Sequence, residues 1–235
     1  MPEASSREIS VPRLSATDRL VSLPSVPLLD ARDGSAPGLT TALRLGWRED
    51  RLLLRFDCRH RGVVATLRKD NSDLWTEDVV EAFLSFQDPP VRYLELEVNP
   101  LGTRFAAVVD SPNLSREGMT VEKFPFPDFQ AEVKVHESRW SAVLSIPLEP
   151  SGWCGARLPF AARDAGVAKS SDSRRAEKWS ESRDRTRKAG ERGTFRANFF
   201  RIDRTSGEFS ALFPTLADPP DFHVPGKFGR FRLEA

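Results

Sequence analysis

Apolar and polar side chains alternate along most of this chain between Ile9 and Phe231, and no window of a dozen residues shows a 3.6-residue apolar period with helix caps at its ends. Period-two alternation marks strands with one face on a core and the other on water. The clearest run is Arg51–Arg59: Leu52, Leu54, Phe56 and Cys58 share one side, while Arg51, Arg55, Asp57 and Arg59 share the other. Thr40–Trp47 precedes it across Glu49 and Asp50, which predicts a hairpin. Further strands are predicted at Asp78–Phe86, Val91–Asn99, Arg104–Val109, Phe129–Val135, Trp140–Ile146, Leu158–Ala162, Thr194–Ile202 and Gly229–Leu233. They recur every roughly 8–14 residues with Pro, Gly, Asp and Asn between them, the rhythm of a sandwich. The expected fold is all-β, an antiparallel β-sandwich of immunoglobulin-like or jelly-roll-like type, in a single domain over residues 1–235.

Residues 163–193 break this pattern. They hold ten Lys or Arg against six Asp or Glu, many Ser, and few large apolar side chains besides Val167 and Trp179. Such a segment buries too little surface to offset the entropy of ordering it, so a charged, mobile loop inserted between two strands is expected. Over the whole chain, 35 Lys and Arg balance 34 Asp and Glu, which argues against a nucleic-acid partner. No run approaches the roughly 18 apolar residues of a membrane span, so no membrane partner is expected. The first thirty residues contain charges and no apolar leader core, which fits a cytoplasmic protein, or a secreted one whose leader is missing from this sequence. Two cysteines, Cys58 and Cys154, are too few for a disulfide framework and read as small buried hydrophobes.

The stretch Asp73–Leu84 carries the most chemistry. In the strand that follows Trp75, Val80, Ala82 and Leu84 form the apolar face, which sends Glu81 to the opposite side with Val79 and Phe83. In the next strand Leu94, Leu96 and Val98 are apolar, and Tyr93, Glu95, Glu97 and Asn99 take the other face. If the two strands pair across the short Gln87–Pro90 connection, their polar faces merge into one water-facing surface. Thr194–Ile202 adds Arg196, Asn198 and Phe200. Carboxylates, amides and guanidinium groups beside an aromatic ring suit a carbohydrate, whose hydroxyls take paired polar partners and whose C–H face packs on a ring. Trp75 is the natural platform. A solvated sheet face and a core Trp are the alternative readings of the same residues.

The text Trp75–Phe83, Tyr93–Gly102, Ala197–Ile202 and Phe222–Gly229 resembles the family 9 carbohydrate-binding-module-like proteins, which are related to sugar- and haem-binding β-sandwich domains. The resemblance implies a sandwich that holds a mono- or oligosaccharide between aromatic side chains, without catalysis. Trp75 matches the platform and Glu81 the hydrogen-bonding position. The expected ligand-binding set is Trp75, Glu81, Tyr93, Glu97, Asn99, Asn198, Phe200 and Arg201. Where sugar-binding members have a second Trp near the late strands, this chain offers Phe200, Leu212 and Phe213, and Glu97 stands where an Arg often helps bind sugar.

Three other readings stay open. Paired carboxylates drawn from Asp78, Glu81, Glu95 and Glu97 suggest a glycoside-processing enzyme, but a wet sheet face gives no reason for the raised pKa a general acid needs. Haem would take its axial ligands from His60, His136, His223, Met119 or Cys58, and the three histidines read as surface or capping residues. A structural or interaction domain without a sugar site is the third. No cofactor is certain. Calcium is a candidate near Asp73 and Asp78, since some members of the resembled family carry it and short acidic residues crowd that loop.

Overall fold

The computed structural model describes residues 8–148 and 193–235. The predicted strand Leu158–Ala162, Cys154, Trp179 and the charged stretch up to residue 192 lie outside the described residues. Fourteen strands are described: β1 (Ile9–Val11), β2 (Val26–Pro27), β3 (Leu29–Asp30), β4 (Thr41–Arg48), β5 (Arg51–Arg59), β6 (Val79–Ser85), β7 (Arg92–Val98), β8 (Arg104–Asp110), β9 (Thr120–Lys123), β10 (Gln130–Val135), β11 (Arg139–Pro147), β12 (Thr194–Asp203), β13 (Glu208–Ala211) and β14 (Gly229–Leu233). The predicted runs within the described residues recur with ends shifted by a residue or two. β1, β2, β3, β9 and β13 are new, each too short for its alternation to stand out. Helical structure among the described residues is limited to single 3-10 turns, so no helix there is long and apolar enough to cross a membrane.

Two sheets stack face to face. One has the order β10-β11-β5-β4-β2; the other runs β1-β14-β12-β6-β7-β8-β9, with β13 pairing β12 and β3. All pairings are antiparallel except that of β1 with β14. The core between the sheets follows the alternation read from the sequence: Leu52, Leu54, Phe56 and Cys58 of β5 and Trp140, Ala142, Leu144 and Ile146 of β11 meet Val80, Ala82 and Leu84 of β6, Leu94, Leu96 and Val98 of β7, and Phe195, Ala197 and Phe199 of β12. Each fully buried Leu or Phe stabilises the fold by roughly 1.5–3 kcal/mol relative to exposure. Cys58 is part of this core, and burial pushes its thiol up to about 12.

The outer face of the larger sheet is not wet. A second apolar cluster covers it: Val79 and Phe83 of β6, Tyr93 of β7, Phe105, Ala107 and Val109 of β8, and Phe200 and Ile202 of β12 pack under Leu74, Phe222 and Phe228 from the connecting segments. Phe222 stacks on Phe200 at 4.2 Å between ring centroids, and Phe228 meets Tyr93 edge-on at 5.2 Å. Every residue of β6 is therefore buried, as are Tyr93–Val98 of β7. This corrects the expectation that Glu81, Glu95 and Glu97 face solvent.

Arg201 is the second correction. It sits on the inner side of β12, only 2 % exposed, and spans the sandwich instead of facing a ligand. Its guanidinium donates to Thr41 Oγ1 at 3.1 Å and to the Arg59 carbonyl, both on the opposite sheet, and pairs with Asp203 at 2.5 Å. Removing one partner of such a pair strands a charge away from water. Asp203→Ala should lower unfolding stability by about 3–5 kcal/mol in urea denaturation; an unchanged midpoint would show that the pair does not join the sheets.

Candidate functional site

The β6–β7 pairing sets Glu81 opposite Glu97 and Phe83 opposite Glu95. Glu95 and Glu97 are two residues apart on one strand, so they share a face, and Glu81 joins them across the ladder. An oxygen from each of the three carboxyls lies within 4.8 Å of the other two. Around them opens a cavity of about 510 Å³. Glu81 and Glu95 form its floor, Trp75, Phe105, Phe209 and Phe222 its aromatic walls, and Arg116, Lys123 and Arg204 its cationic edge.

Trp75 lies on a 3-10 turn, Leu74–Thr76, whose Leu74 is sunk in the second cluster. That anchor leaves the indole 37 % exposed at the cavity wall. Phe105 braces it edge-on at 5.4 Å, and the Lys123 ammonium stands 5.2 Å from the ring centroid. The Trp75 carbonyl accepts a hydrogen bond from the Arg204 guanidinium, while Arg204 also lies 5.3 Å from the Phe209 ring.

Two of the cations at the edge are paired elsewhere. Arg116 pairs with Asp221 at 2.7 Å, and Lys123 pairs with Asp73 at 2.5 Å. Among the described residues, none of the three glutamates forms an ion pair with Lys or Arg. Burial is the largest influence on each carboxyl. It raises Glu95 to about 7, and together with the neighbouring carboxylates it holds Glu81 and Glu97 well above the ordinary range. Among the described residues, Glu81 Oε1 and both oxygens of Glu97 accept no hydrogen bond from a conventional donor. The bond open to Glu97 is to Glu95, and it requires Glu97 to carry the proton.

His223, read as a surface or capping residue, belongs to this site. Its Nδ1 is 2.7 Å from the Tyr93 hydroxyl, and its Nε2 lies 3.8 Å from Glu95. Burial and nearby Arg116 push the imidazole down to about 4, so at neutral pH the Glu95 contact is not an ion pair. Burial also holds the Tyr93 phenol above its usual range, so the hydroxyl keeps its proton beside Nδ1. Both ring nitrogens of His223 are turned toward protein groups. His60, also read as surface, is buried with Nε2 3.0 Å from the His136 carbonyl.

The other expected residues fall in different places. Asn99 is buried in the turn after β7, where it donates to the Leu67 carbonyl and accepts from Leu101 and Thr103. Asn198 clamps the Phe213 backbone through both its amide atoms. Phe200 is sealed beneath Phe222, and Tyr93 is 2 % exposed. Asp73 and Asp78 do not form a calcium site: Asp73 faces Lys123, while Asp78 accepts from the backbone amides of Val64 and Arg204 at 3.0 and 2.7 Å. The carboxyls whose spacing suits a cation are Glu81, Glu95 and Glu97. Of the expected ligand set, Trp75 and Glu81 line the cavity and Glu97 lies beneath it. Sequence reading missed Phe105, Arg116, Lys123, Arg204, Phe209 and Phe222, which come from β8, β9, β13 and the loops.

The fold is a β-sandwich of the kind seen in family 9 carbohydrate-binding modules. Residues 35–149 match the model of carbohydrate-binding family 9. Among solved structures it is similar to a Bacteroides uniformis ATCC 8492 protein proposed to bind carbohydrate, with 17% identity, a TM-score of 0.66 and coverage of 97% of this chain and 99% of that one. It is also similar to a family 9 module from Caldicellulosiruptor kristjanssonii in complex with cellotriose, at 13% identity and a TM-score of 0.55, over 97% of this chain and 94% of that one. The glucose complex of a family 9 module from the same organism gives a TM-score of 0.51 at 13% identity, over 97% and 96% of the two chains. Identities this low speak to fold alone. Among curated proteins no sequence match is found.

Raised carboxyl pKa values make stability depend on pH. The folded state keeps protons that the unfolded chain releases above its ordinary glutamate value of 4.5, so this contribution is full below 4.5 and is lost as pH rises through about 7 and beyond. The melting temperature of the native chain should therefore fall between pH 5 and pH 8, and fall less in Glu97→Gln, which cannot ionise. Parallel pH profiles for the two proteins would show that Glu97 is not held protonated.

Proposed function

We propose that this chain binds a mono- or oligosaccharide without chemistry in the cavity beside Trp75. The observation that carries the reading is the meeting, in one hollow of about 510 Å³, of a part-exposed indole with carboxyl groups that have hydrogen-bonding capacity to spare. Apolar walls for the C–H faces of a pyranose and a few placed polar groups for its hydroxyls are what a sugar needs. The family 9 match over residues 35–149 supports the same reading, as do the cellotriose and glucose held by the Caldicellulosiruptor modules.

Burial raises the pKa of the glutamates, so the objection to a general acid drawn from a wet sheet face no longer applies. The arrangement nonetheless favours binding over hydrolysis. A glycosidase places its two carboxyls on either side of the scissile bond, roughly 5–9.5 Å apart. Here the three carboxyls crowd within 4.8 Å of one another, too close to flank such a bond.

Calorimetric titration of the chain with glucose and cellotriose, with product analysis alongside, tests the proposal. Binding without release of shorter sugars is expected, and Trp75→Ala should weaken it by about tenfold or more while leaving the melting temperature nearly unchanged, because the ring is partly exposed. Equal affinity in the variant, or no binding by the native chain, would overturn the assignment.

A further inference from the structure

A neutral sugar has no need of so much unpaired acid. One or two carboxylates satisfy a pair of hydroxyls, yet this floor gathers three within mutual reach, and their burial costs stability unless something compensates them. The cations at the edge offset this only from a distance, since among the described residues none forms an ion pair with the three glutamates: Arg116 is paired with Asp221 and Lys123 with Asp73, and Arg204 donates to the Trp75 carbonyl. Glu97 is fully buried with both oxygens lacking a conventional donor, and Glu81 is 2 % exposed with Oε1 in the same state. Glu81 lines the cavity beside Glu95, and Glu97 lies within reach of both.

Building on the saccharide reading, we propose that the ligand is an amino sugar, whose protonated amine sits on the Glu81–Glu95 floor with Glu97 behind it. A primary ammonium brings three N–H donors to carboxyl oxygens that have no conventional donor among the described residues, and its positive charge favours release of the protons they hold. The faces of Trp75, Phe105, Phe209 and Phe222 favour a cation beside them, and they pack on the ring that carries it. A calcium ion suits the place less well. It takes six to eight oxygens, and beyond Glu81 and Glu95 the only carboxylate on the cavity lining is Asp73, which Lys123 holds.

The test is calorimetric titration of the full chain at pH 7 with glucose, N-acetylglucosamine and glucosamine, repeated with Glu81→Gln and Glu95→Gln. Both variants keep the side-chain volume, and a melting curve confirms that each is folded. Glucosamine should bind at least about tenfold more tightly than glucose, as a charge-assisted hydrogen bond allows. N-acetylglucosamine, with a neutral amide in place of the amine, should show no such gain, and the preference should vanish in either variant. Equal affinity for glucose and glucosamine would overturn the amino-sugar assignment and leave the saccharide site standing. No binding of any of the three would remove both. Calcium chloride that raises the melting temperature of the native chain but not of Glu81→Gln would make the floor a metal site, which also overturns the proposal.

Discussion

Three carboxyl groups held out of water, with no Lys or Arg paired to them among the described residues, are the constraint around which this molecule is arranged. They exist in that state because β6 and β7 lie in the middle of a sheet covered on both sides. An antiparallel strand with a solvated face tolerates Glu at alternate positions at little cost. The same residues become expensive once Phe222, His223 and Phe228 close over them, and the protons they retain are the physical record of that closure. The cover is incomplete where Trp75 and Arg204 meet, and the opening there is what turns a buried polar cluster into the floor of a cavity.

The remaining buried polar groups serve the frame. Arg201 with Asp203 ties the two sheets through Thr41 and Arg59, Asn198 fixes the strand exit at Phe213, and Asn99 closes the turn that leads into β8. Each has its hydrogen bonds met by backbone or by a partner charge, although Arg201 Nε lacks one. Glu81 Oε1 and both oxygens of Glu97 lack a conventional donor among the described residues, as His60 Nδ1 and Trp140 Nε1 lack a partner elsewhere, but these carboxyls lie at a cavity. Satisfied buried polar groups report on folding; unsatisfied ones beside a cavity report on a ligand.

The fold was largely legible. Leu52, Leu54, Phe56 and Cys58 recur at every second position, and so do Val80, Ala82 and Leu84, because one face of each strand meets the opposite sheet. The site was legible only in part. Pairing of the strands that carry Glu81 and Glu97 followed from the short Gln87–Pro90 connection, and the turn before them placed Trp75 at the mouth. Cover over the outer face did not follow from either strand alone, since the covering residues come from more than a hundred positions downstream. A signal was nevertheless present. Val79, Phe83, Tyr93, Phe105 and Phe200 all lie on the side read as wet, and so many large apolar groups on one sheet face call for a second layer above it. Polar identity also misled at Asn99, Asn198 and Arg201, whose residue types fit a sugar contact and a structural clamp equally well.

The most direct measurement is a pH titration of the glutamate side-chain carboxyls by carbon NMR in the chain labelled at Cδ, with Glu81→Gln, Glu95→Gln and Glu97→Gln spectra to assign the three signals. One resonance, Glu95, should titrate near about 7, and those of Glu81 and Glu97 should keep their protons well beyond the ordinary carboxyl range. If all three signals titrate near the ordinary value of about 4.3, the carboxyls are solvated and the enclosed acidic floor does not exist.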